Sequence, residues 1–208
     1  MIDRVHDLTT KYLVRRQNLT TLAKALETEV ATYLTGVPHV DRINFRVKDL
    51  DSFVRKAMTV GNGEPWKYAH PLEELEDQVA GRVLVFYRSD IEVVVSALTG
   101  KLKKAEKHHK QPSSAKEFDY ETTHLVFVIT PDLQPVGWQT LEDPPQTFEL
   151  QVRTLAQHAW AEPQHGFYKV GAGLGPENLR KLYWAAASAW GLDSIWEDLR
   201  RELDKVPH

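Results

Sequence analysis

The sequence of 208 residues contains no cysteine. Disulfide bonds, thiolate catalysis and cysteine-ligated zinc are therefore excluded, and this composition fits a reducing compartment such as the cytoplasm. No apolar run approaches the roughly 20 residues that a membrane span needs. The first residues, MIDRVHDLTTKY, are too polar for a secretory signal. We therefore expect a cytoplasmic location and no membrane partner.

The sequence also lacks a strong excess of either charge, with 26 Lys and Arg residues, 29 Asp and Glu residues and a net charge of −3. A balance this mild does not by itself indicate nucleic-acid binding, so any basic site must be local. The 42% of apolar and 26% of charged residues are typical of a globular protein. We expect one domain over residues 1–208, with an N-terminal helix at 5–35, a core region at 40–170 and a C-terminal helix at 176–206.

Hydrophobic periodicity predicts the secondary structure. Apolar residues recur every three or four positions within residues 5–35, which is the spacing of an amphipathic helix. Alternating patterns and short apolar runs predict five strands, at residues 43–48, 82–87, 122–130, 136–141 and 147–153. The polar residues 103–119 predict a loop. This order predicts an α/β or α+β domain whose mixed, mostly antiparallel sheet of about five strands is flanked by helices.

Polar side chains are expected together on one face of the last predicted strand. Apolar residues occupy every second position from 148 to 152 and face the core, so Glu149, Gln151 and Arg153 share the opposite face. Asp77 is a second isolated carboxylate, just before the entrance of an earlier strand. Carboxylates of this kind are hard oxygen ligands that suit Mg²⁺.

Basic and hydroxyl side chains follow a similar rule near the first predicted strand. Arg46 and Lys48 share a face of that strand, and Ser52 and Lys56 continue it at four-residue steps. Together with the two carboxylates, they are suited to receive a polyphosphate and a divalent metal. The solvated outer face of a sheet gives the same pattern, and alternation alone favours that simpler interpretation.

Four sequence motifs change this balance. They are RVKDLDSFVRKA (46–57), DQVAGRVLVFY (77–87), DYETTHLVF (119–127) and FELQVRTLAQHAWAEPQH (148–165), in this order. Together they resemble the synthetase domain of the RelA/SpoT family, which makes the alarmone (p)ppGpp. Members of that family show R-x-K-x-x-x-S-x-x-x-K, D-x-x-G-x-R, G-Y-x-S-L-H and E-x-Q-x-R-T segments. The resemblance covers about residues 40–170 and implies a nucleotidyltransferase-like fold with its catalytic core there.

The resemblance implies a Mg²⁺-dependent pyrophosphotransferase of the GTP diphosphokinase type. Such an enzyme transfers the β,γ-pyrophosphate of ATP to the 3′-hydroxyl of GDP or GTP, giving (p)ppGpp and AMP. By resemblance, Asp77 would bind magnesium, and Glu149 would complete the metal site or take the proton of the attacking hydroxyl. The implied ATP-binding residues are Arg46 and Arg82, which would flank the adenine, and Lys48, Ser52 and Lys56, which would hold the phosphates. The implied acceptor-binding residues are Tyr120, His124, Gln151 and Arg153.

Simpler structural roles exist for several of these side chains. Glu149 could pair with Arg153 on the same strand face, and exposed pairs of this kind are common on sheets. Lys56 could be an ordinary surface lysine, and His124 could be a hydrogen-bonded histidine of the sheet. These alternatives stay open at the level of sequence.

The acceptor segment departs from the family pattern. It reads Asp-Tyr-Glu-Thr-Thr-His at 119–124, so Tyr120 and His124 are retained while the glycine before the tyrosine is lost. Glu121 would repel the 5′ phosphates of a nucleotide acceptor. Toxic members of the family pyrophosphorylate the 3′ end of tRNA, and other members use adenine nucleotides. Both acceptors are therefore alternatives to a guanine nucleotide, which the family mostly uses.

A basic run lies just upstream of the acceptor segment. Its lysines are Lys101, Lys103, Lys104, Lys107 and Lys110. One interpretation is a solvated helix end, where cations are favoured by the helix dipole. The other is a patch that docks the phosphate backbone of tRNA.

The sequence also raises the question of a protein partner. The C-terminal helix is amphipathic enough to pack on its own domain or against a neighbouring chain. A homo-oligomer is therefore possible, and the toxic members of the family are often neutralised by an antitoxin protein. A non-catalytic module that kept the fold and binds a nucleotide or RNA is the alternative from a different functional class.

Overall fold

Five strands form one mixed sheet in the computed structural model, which describes residues 2–110, 118, 122–169 and 175–205. The strands are β1 (Val40–Val47), β2 (Val79–Val85), β3 (Lys104–Lys110), β4 (Thr122–Val128) and β5 (Thr147–Thr154). Their order across the sheet is β1-β2-β5-β4-β3. Strands β2 and β5 are parallel, and the other neighbours are antiparallel. The predicted fold class is confirmed.

Helices pack against the sheet, and the first and last elements of the described chain are helices. They are α1 (Ile2–Tyr33), α2 (Leu50–Ala57), α3 (Pro71–Glu74), α4 (Arg88–Thr99), α5 (Leu155–Lys169) and α6 (Pro176–Leu203). Short 3₁₀ turns lie at Glu76–Gln78, Pro131–Leu133 and Trp138–Thr140. None of the helices in the described part of the chain combines the length and the apolar character of a membrane span.

The hydrophobic core lies between α1, α4 and one face of the sheet. Leucines at three- and four-residue spacing along α1 are fully buried, and so are the alternate residues Phe148, Leu150 and Val152 of β5. Gly81 of β2 allows this packing, because a Cβ atom there would lie 2.4 Å from the ring of Phe45 and 2.6 Å from Leu150. With these residues committed to the core, the opposite face of β2 and β5 carries the polar residues.

The loop predicted for residues 103–119 is wrong over its first half. Residues Lys104–Lys110 form β3, an edge strand that pairs antiparallel with β4. The residues 103–106 that begin this segment are all exposed, so no apolar alternation marks the strand in the sequence. Lysine-rich edges are common because charged side chains discourage pairing with another chain.

The strand predicted for residues 136–141 is also wrong. This segment contains a turn followed by the 3₁₀ turn Trp138–Thr140. Gly137 adopts a left-handed conformation with φ of 82°, which interrupts an extended chain. Trp138 is buried and anchors the segment to the core. The apolar residues near Trp138 are spaced like those of a strand, and this spacing led to the wrong prediction.

The C-terminal helix α6 buries only part of its apolar surface. Ala186 faces the domain and is buried, whereas Trp184, Ile195 and Leu199 are exposed. The predicted amphipathic helix is therefore present, but many of its large apolar side chains are not covered by the described part of the domain.

Candidate active site

The sheet register brings polar residues of four strands onto one face. Arg46 of β1 and Glu149 of β5 lie opposite the same residue of β2. Arg82 of β2 lies opposite Gln151 of β5, which lies opposite His124 of β4. Residues that are paired across a ladder share a face. The polar face predicted from the alternation of the last strand therefore extends over most of the sheet.

Asp77 lies at one edge of this face, between two lysine ammonium groups. It belongs to the 3₁₀ turn Glu76–Gln78, which leads directly into β2. The Nζ atom of Lys48 lies 2.6 Å from its Oδ2 atom, and the Nζ atom of Lys56 lies 3.1 Å from Oδ1. Lys48 follows β1 and Lys56 lies on α2, so three separate segments converge here.

The two lysines control the charge of Asp77. Burial alone would raise the pKa of its carboxyl, but the neighbouring charges of Lys48 and Lys56 outweigh burial and lower the pKa below its ordinary value of 3.8. Asp77 is therefore ionised at neutral pH. The same ion pair raises the pKa of Lys56 above its ordinary value, against the effect of burial.

Glu149 lies at the centre of the polar face within a chain of hydrogen bonds. The Nδ1 atom of His124 is 3.2 Å from Oε1 of Glu149. The side-chain amide of Gln151 donates to the same oxygen, and the guanidinium of Arg153 donates to the amide oxygen of Gln151. Burial raises the pKa of Glu149, but the hydrogen bonds from His124 and Gln151 outweigh it and lower the pKa below its ordinary value of 4.5. Glu149 is also ionised at neutral pH.

Three guanidinium groups concentrate positive charge next to these carboxylates. Burial, together with the charges of Arg82 and Arg46, lowers the pKa of Arg153 to about 9. Glu162 of α5 balances part of this charge, because its Oε1 atom lies 2.6 Å from Arg82. The buried Nε atom of Arg82 donates no hydrogen bond within the described residues. Anionic ligands with planar groups fit such a cluster.

The donor set fits a magnesium ion held jointly with phosphate. Asp77 and Glu149 interact electrostatically, because the charge of Asp77 opposes the lowering of the Glu149 pKa without reversing it. The Oδ1 atom of Asp77 is buried and lies 3.1 Å from the ammonium of Lys56, so a metal would share this carboxylate with the lysine. The described residues contain no group of three or more His, Cys, Asp or Glu side chains that could enclose a metal. Magnesium commonly uses one or two carboxylates and completes its shell with water and substrate phosphates.

Comparison with known proteins identifies the family. A family model described as the region found in RelA / SpoT proteins matches residues 45–172, more than half of the chain. The chain belongs to the RelA/SpoT family. The resemblance carried by the four motifs is thereby confirmed. A search of curated protein sequences found no match.

Solved structures of a small alarmone synthetase share the fold. Small alarmone synthetase 1 from Bacillus subtilis is 20% identical with a TM-score of 0.70, and the match covers 98% of this chain and 100% of the other. The structure of that protein bound to its product pppGpp has 21% identity and a TM-score of 0.70, covering 90% and 95%. Its structure bound to AMPCPP has 22% identity and a TM-score of 0.65, covering 98% and 100%.

The remaining predicted site residues are placed as follows. Ser52 lies on α2, one turn before Lys56, and its hydroxyl accepts a hydrogen bond from Arg55. Lys101 and Lys103, just before β3, and Lys104, its first residue, are exposed. The backbones of Lys107 and Lys110 lie in β3. Tyr120 lies outside the described residues.

Sequence reasoning missed the role of α5 at this site. Glu162 pairs with Arg82, and His158, one helical turn earlier, has its Nδ1 atom 3.7 Å from the same carboxylate. Burial and the charge of Arg82 lower the pKa of His158, which favours its neutral form. The sequence signal for this pair was the four-residue spacing of His158 and Glu162 within the fourth motif, because this spacing puts both side chains on one face of a helix.

Proposed function

We propose that this chain is a Mg²⁺-dependent enzyme that transfers the β,γ-pyrophosphate of ATP to the 3′-hydroxyl of GDP or GTP, giving (p)ppGpp and AMP. The observation that carries the proposal is the pair of ionised carboxylates, Asp77 and Glu149, on a face lined by Lys48, Lys56 and the arginine cluster. Structures of a family member bound to AMPCPP and to pppGpp support the choice of ATP as donor and a guanine nucleotide as acceptor. Both substrates are cytoplasmic metabolites, which supports a cytoplasmic location.

The side chains divide between the donor and the acceptor. Arg46 and Arg82 would hold the adenine of ATP between their planar groups. Lys48, Ser52 and Lys56 would bind its phosphates, and for the two lysines this means exchanging part of their contact with Asp77 for contact with the nucleotide. The acceptor would lie over β4 and β5, near His124, Gln151 and Arg153, with Tyr120 stacked on its base.

The reaction is a displacement at the β-phosphorus. The 3′ oxygen of the acceptor forms a bond to that phosphorus, and the bond between it and the oxygen shared with the α-phosphorus breaks. AMP leaves with the bridging oxygen, and the hydroxyl proton passes to the Glu149 carboxylate or to water. Magnesium bound through Asp77 and Glu149 would neutralise charge on the phosphates. Catalysis of this kind depends mainly on positioning and charge stabilisation.

A test of the reaction uses an acceptor that cannot react. The protein is incubated with ATP, Mg²⁺ and either GDP or 3′-deoxy-GDP, and AMP is measured by chromatography. We expect AMP with GDP, none with 3′-deoxy-GDP, and none with GDP when Glu149→Gln replaces the wild type. Tight binding of nucleotide without AMP release under any acceptor would contradict the proposal and favour the non-catalytic module.

The exposed lysines at and just before the start of β3 support one alternative acceptor, the 3′ end of tRNA. Lys101 and Lys103 lie just before β3 and Lys104 begins it; all three are exposed, and β3 is the edge strand beside β4, which carries His124. Basic side chains at an exposed edge suit a phosphate backbone. A double variant, Lys103→Glu with Lys104→Glu, separates the acceptors, because it should abolish transfer to deacylated tRNA and leave transfer to GDP unchanged. Adenine nucleotides are tested in the same assay.

The uncovered side of α6 supports the expectation of a protein partner. Trp184, Ile195 and Leu199 are each at least half exposed, and Leu192 and Leu203 extend the same apolar strip. We propose that a second copy of this chain covers the strip, and that an antitoxin protein is the alternative. Light scattering after size-exclusion chromatography should show an oligomer that Ile195→Asp converts to a monomer. A monomeric wild type would contradict self-association and leave the antitoxin.

A further inference from the structure

Two buried polar side chains of α1 contact the segments that carry the proposed phosphate-binding and metal-binding residues. Tyr12 is 0% exposed and Arg15 is 1% exposed. They lie three residues apart, so they share one face of the helix. Neither side chain reaches a proposed substrate position, and neither was singled out by its sequence.

Tyr12 contacts the lysine side of the site. Its hydroxyl donates a 2.7 Å hydrogen bond to the backbone carbonyl of Lys48. Its ring stacks on Phe53 with centroids 4.0 Å apart, and Phe53 lies between Ser52 and Lys56 on α2. Burial raises the pKa of Tyr12, so its hydroxyl remains a donor at neutral pH. One side chain therefore contacts both segments that carry the two lysines.

Arg15 contacts the carboxylate side of the site. Its guanidinium donates to the backbone carbonyls of Leu72 at 2.8 Å and Asp143 at 3.0 Å, and also to that of Glu142. It reaches the side-chain oxygen of Gln78, the residue after Asp77, at 3.5 Å. The segment that contains Glu142 and Asp143 leads into β5 and hence to Glu149.

Gln78 links the two sides. It is fully buried, and its amide donates to the carbonyls of Leu72 at 2.8 Å and Leu75 at 3.2 Å. The backbone carbonyl of Gln78 accepts a 2.9 Å hydrogen bond from the backbone N–H of Lys48. The backbones on either side of the Lys48–Asp77 ion pair are thus joined directly and are both held from α1.

The chemistry of Arg15 argues that this arrangement has a purpose beyond packing. Burial lowers the pKa of the guanidinium, which means that the charged form is disfavoured at this position. Burying a charge is unfavourable, and an apolar side chain of similar length would fill the space without that penalty. An apolar residue could not fix the backbone carbonyls of two separate segments, α3 and the loop at residues 142–143, relative to one another.

We propose that Tyr12, Arg15 and Gln78 are positioning residues that set the separation between the lysines and Asp77, and thereby the affinity of the site for a divalent metal with ATP. This inference rests on the proposed function, because it assigns a role within the same site. It predicts that the polar contacts of these residues can be removed without unfolding the domain, while metal binding is weakened.

The test measures metal binding directly. Mn²⁺ replaces Mg²⁺ because the electron paramagnetic resonance signal of free Mn²⁺ reports binding, and AMPCPP serves as the non-reacting nucleotide. We expect Gln78→Met and Arg15→Met to raise the Kd for Mn²⁺ at least tenfold, while the affinity for AMPCPP without metal changes less than threefold. Arg15→Lys should recover part of the loss. Tyr12→Phe, which keeps the ring, should weaken AMPCPP more than Mn²⁺.

The matched control is Leu26→Val, a conservative change at a fully buried position of the same helix. It should lower the melting temperature without changing either affinity. The inference is overturned if the Mn²⁺ affinity of Gln78→Met stays within twofold of the wild type, or if Leu26→Val weakens it equally. Should Gln78→Met not fold, Gln78→Glu is measured, which keeps the acceptor for Arg15 and removes the amide donor. A wild type that binds no Mn²⁺ with AMPCPP and releases no AMP would overturn the proposed function together with this inference.

Discussion

Replacing Asp77 by asparagine tests the electrostatics of the site most specifically. The substitution keeps the shape of the side chain and removes the negative charge that faces Lys48 and Lys56 at 2.6 and 3.1 Å. The side chains of Lys48 and Asp77 are each 16% exposed, whereas that of Lys56 is 38% exposed. The loss in the free energy of unfolding should therefore lie between two limits. Breaking an exposed ion pair costs at most about 1 kcal/mol, and breaking a fully buried pair costs about 3–5 kcal/mol.

We expect the free energy of unfolding to fall by about 2 kcal/mol at neutral pH, which corresponds to about 4–8 °C in melting temperature for a domain of this size. The pKa of Asp77 is lowered on folding, so its stabilisation is present above the unfolded pKa, near 3.8, and is lost as the pH falls through the folded value. The difference between wild type and Asp77→Asn in urea unfolding should therefore shrink as the pH falls below about 4. Asp51→Asn, an exposed carboxylate on α2, is the matched control and should change stability little.

The same variant separates structure from metal binding. A ligand at 100 times its Kd stabilises the folded state by about 2.7 kcal/mol. Wild type should gain this stabilisation from AMPCPP with Mg²⁺, and Asp77→Asn should lose the part that depends on Mg²⁺. The reasoning is refuted if Asp77→Asn is as stable as the wild type at neutral pH and shows the same Mg²⁺-dependent gain.

Three further predictions concern the rest of the site and the attachment of α6. Glu162→Gln removes the ionic partner of Arg82, so steady-state kinetics should show a several-fold higher KM for ATP with kcat little changed. The free energy of unfolding should fall by less than about 1 kcal/mol, because Glu162 is half exposed. An unchanged KM would contradict a role for this pair. Thr154→Val removes a buried hydroxyl that accepts a hydrogen bond from the backbone of Gln157 and donates one to Asp193 on α6 at 2.8 Å. The free energy of unfolding in urea should fall by about 2–3 kcal/mol. A fall below about 0.5 kcal/mol would show that this contact does not hold α6. The hydrogen bonds from His124 and Gln151 hold the pKa of Glu149 below 4.5 despite burial. The pH–rate profile should therefore show no loss of activity from this carboxyl between pH 8 and 6. Gln151→Leu should move the acid limb of the profile to higher pH, and an unmoved limb would contradict the assigned cause.

Much of the site could be predicted from sequence because strand alternation is a local property. Glu149 and Gln151 share a face since side chains alternate along any strand, and this held for β5. The resemblance assigned Asp77 to the metal and Lys48 and Lys56 to the phosphates of ATP, but it did not predict that the three side chains contact one another. Their contact distances and charges required the tertiary structure.

Other features could not be predicted because their signals are absent or misleading. Strand β3 lies at a sheet edge with exposed lysines, so it carries no apolar alternation. The pairing of Arg82 with Glu162 joins residues that are eighty positions apart. Arg15 is charged, and charged residues are usually exposed. Its guanidinium is buried against backbone carbonyls of α3 and of the loop at residues 142–143, which only the tertiary structure brings together.

The most direct test of the central claim follows the labelled γ-phosphate of ATP. The protein is incubated with γ-labelled ATP and Mg²⁺ in separate tubes containing GDP, GTP, ADP, ATP or deacylated tRNA, and the products are separated by thin-layer chromatography or, for tRNA, by gel electrophoresis. We predict that the label moves to GDP or GTP with the wild type and that Glu149→Gln transfers none. Label that remains on ATP in every tube, with a folded wild-type protein, would contradict the account.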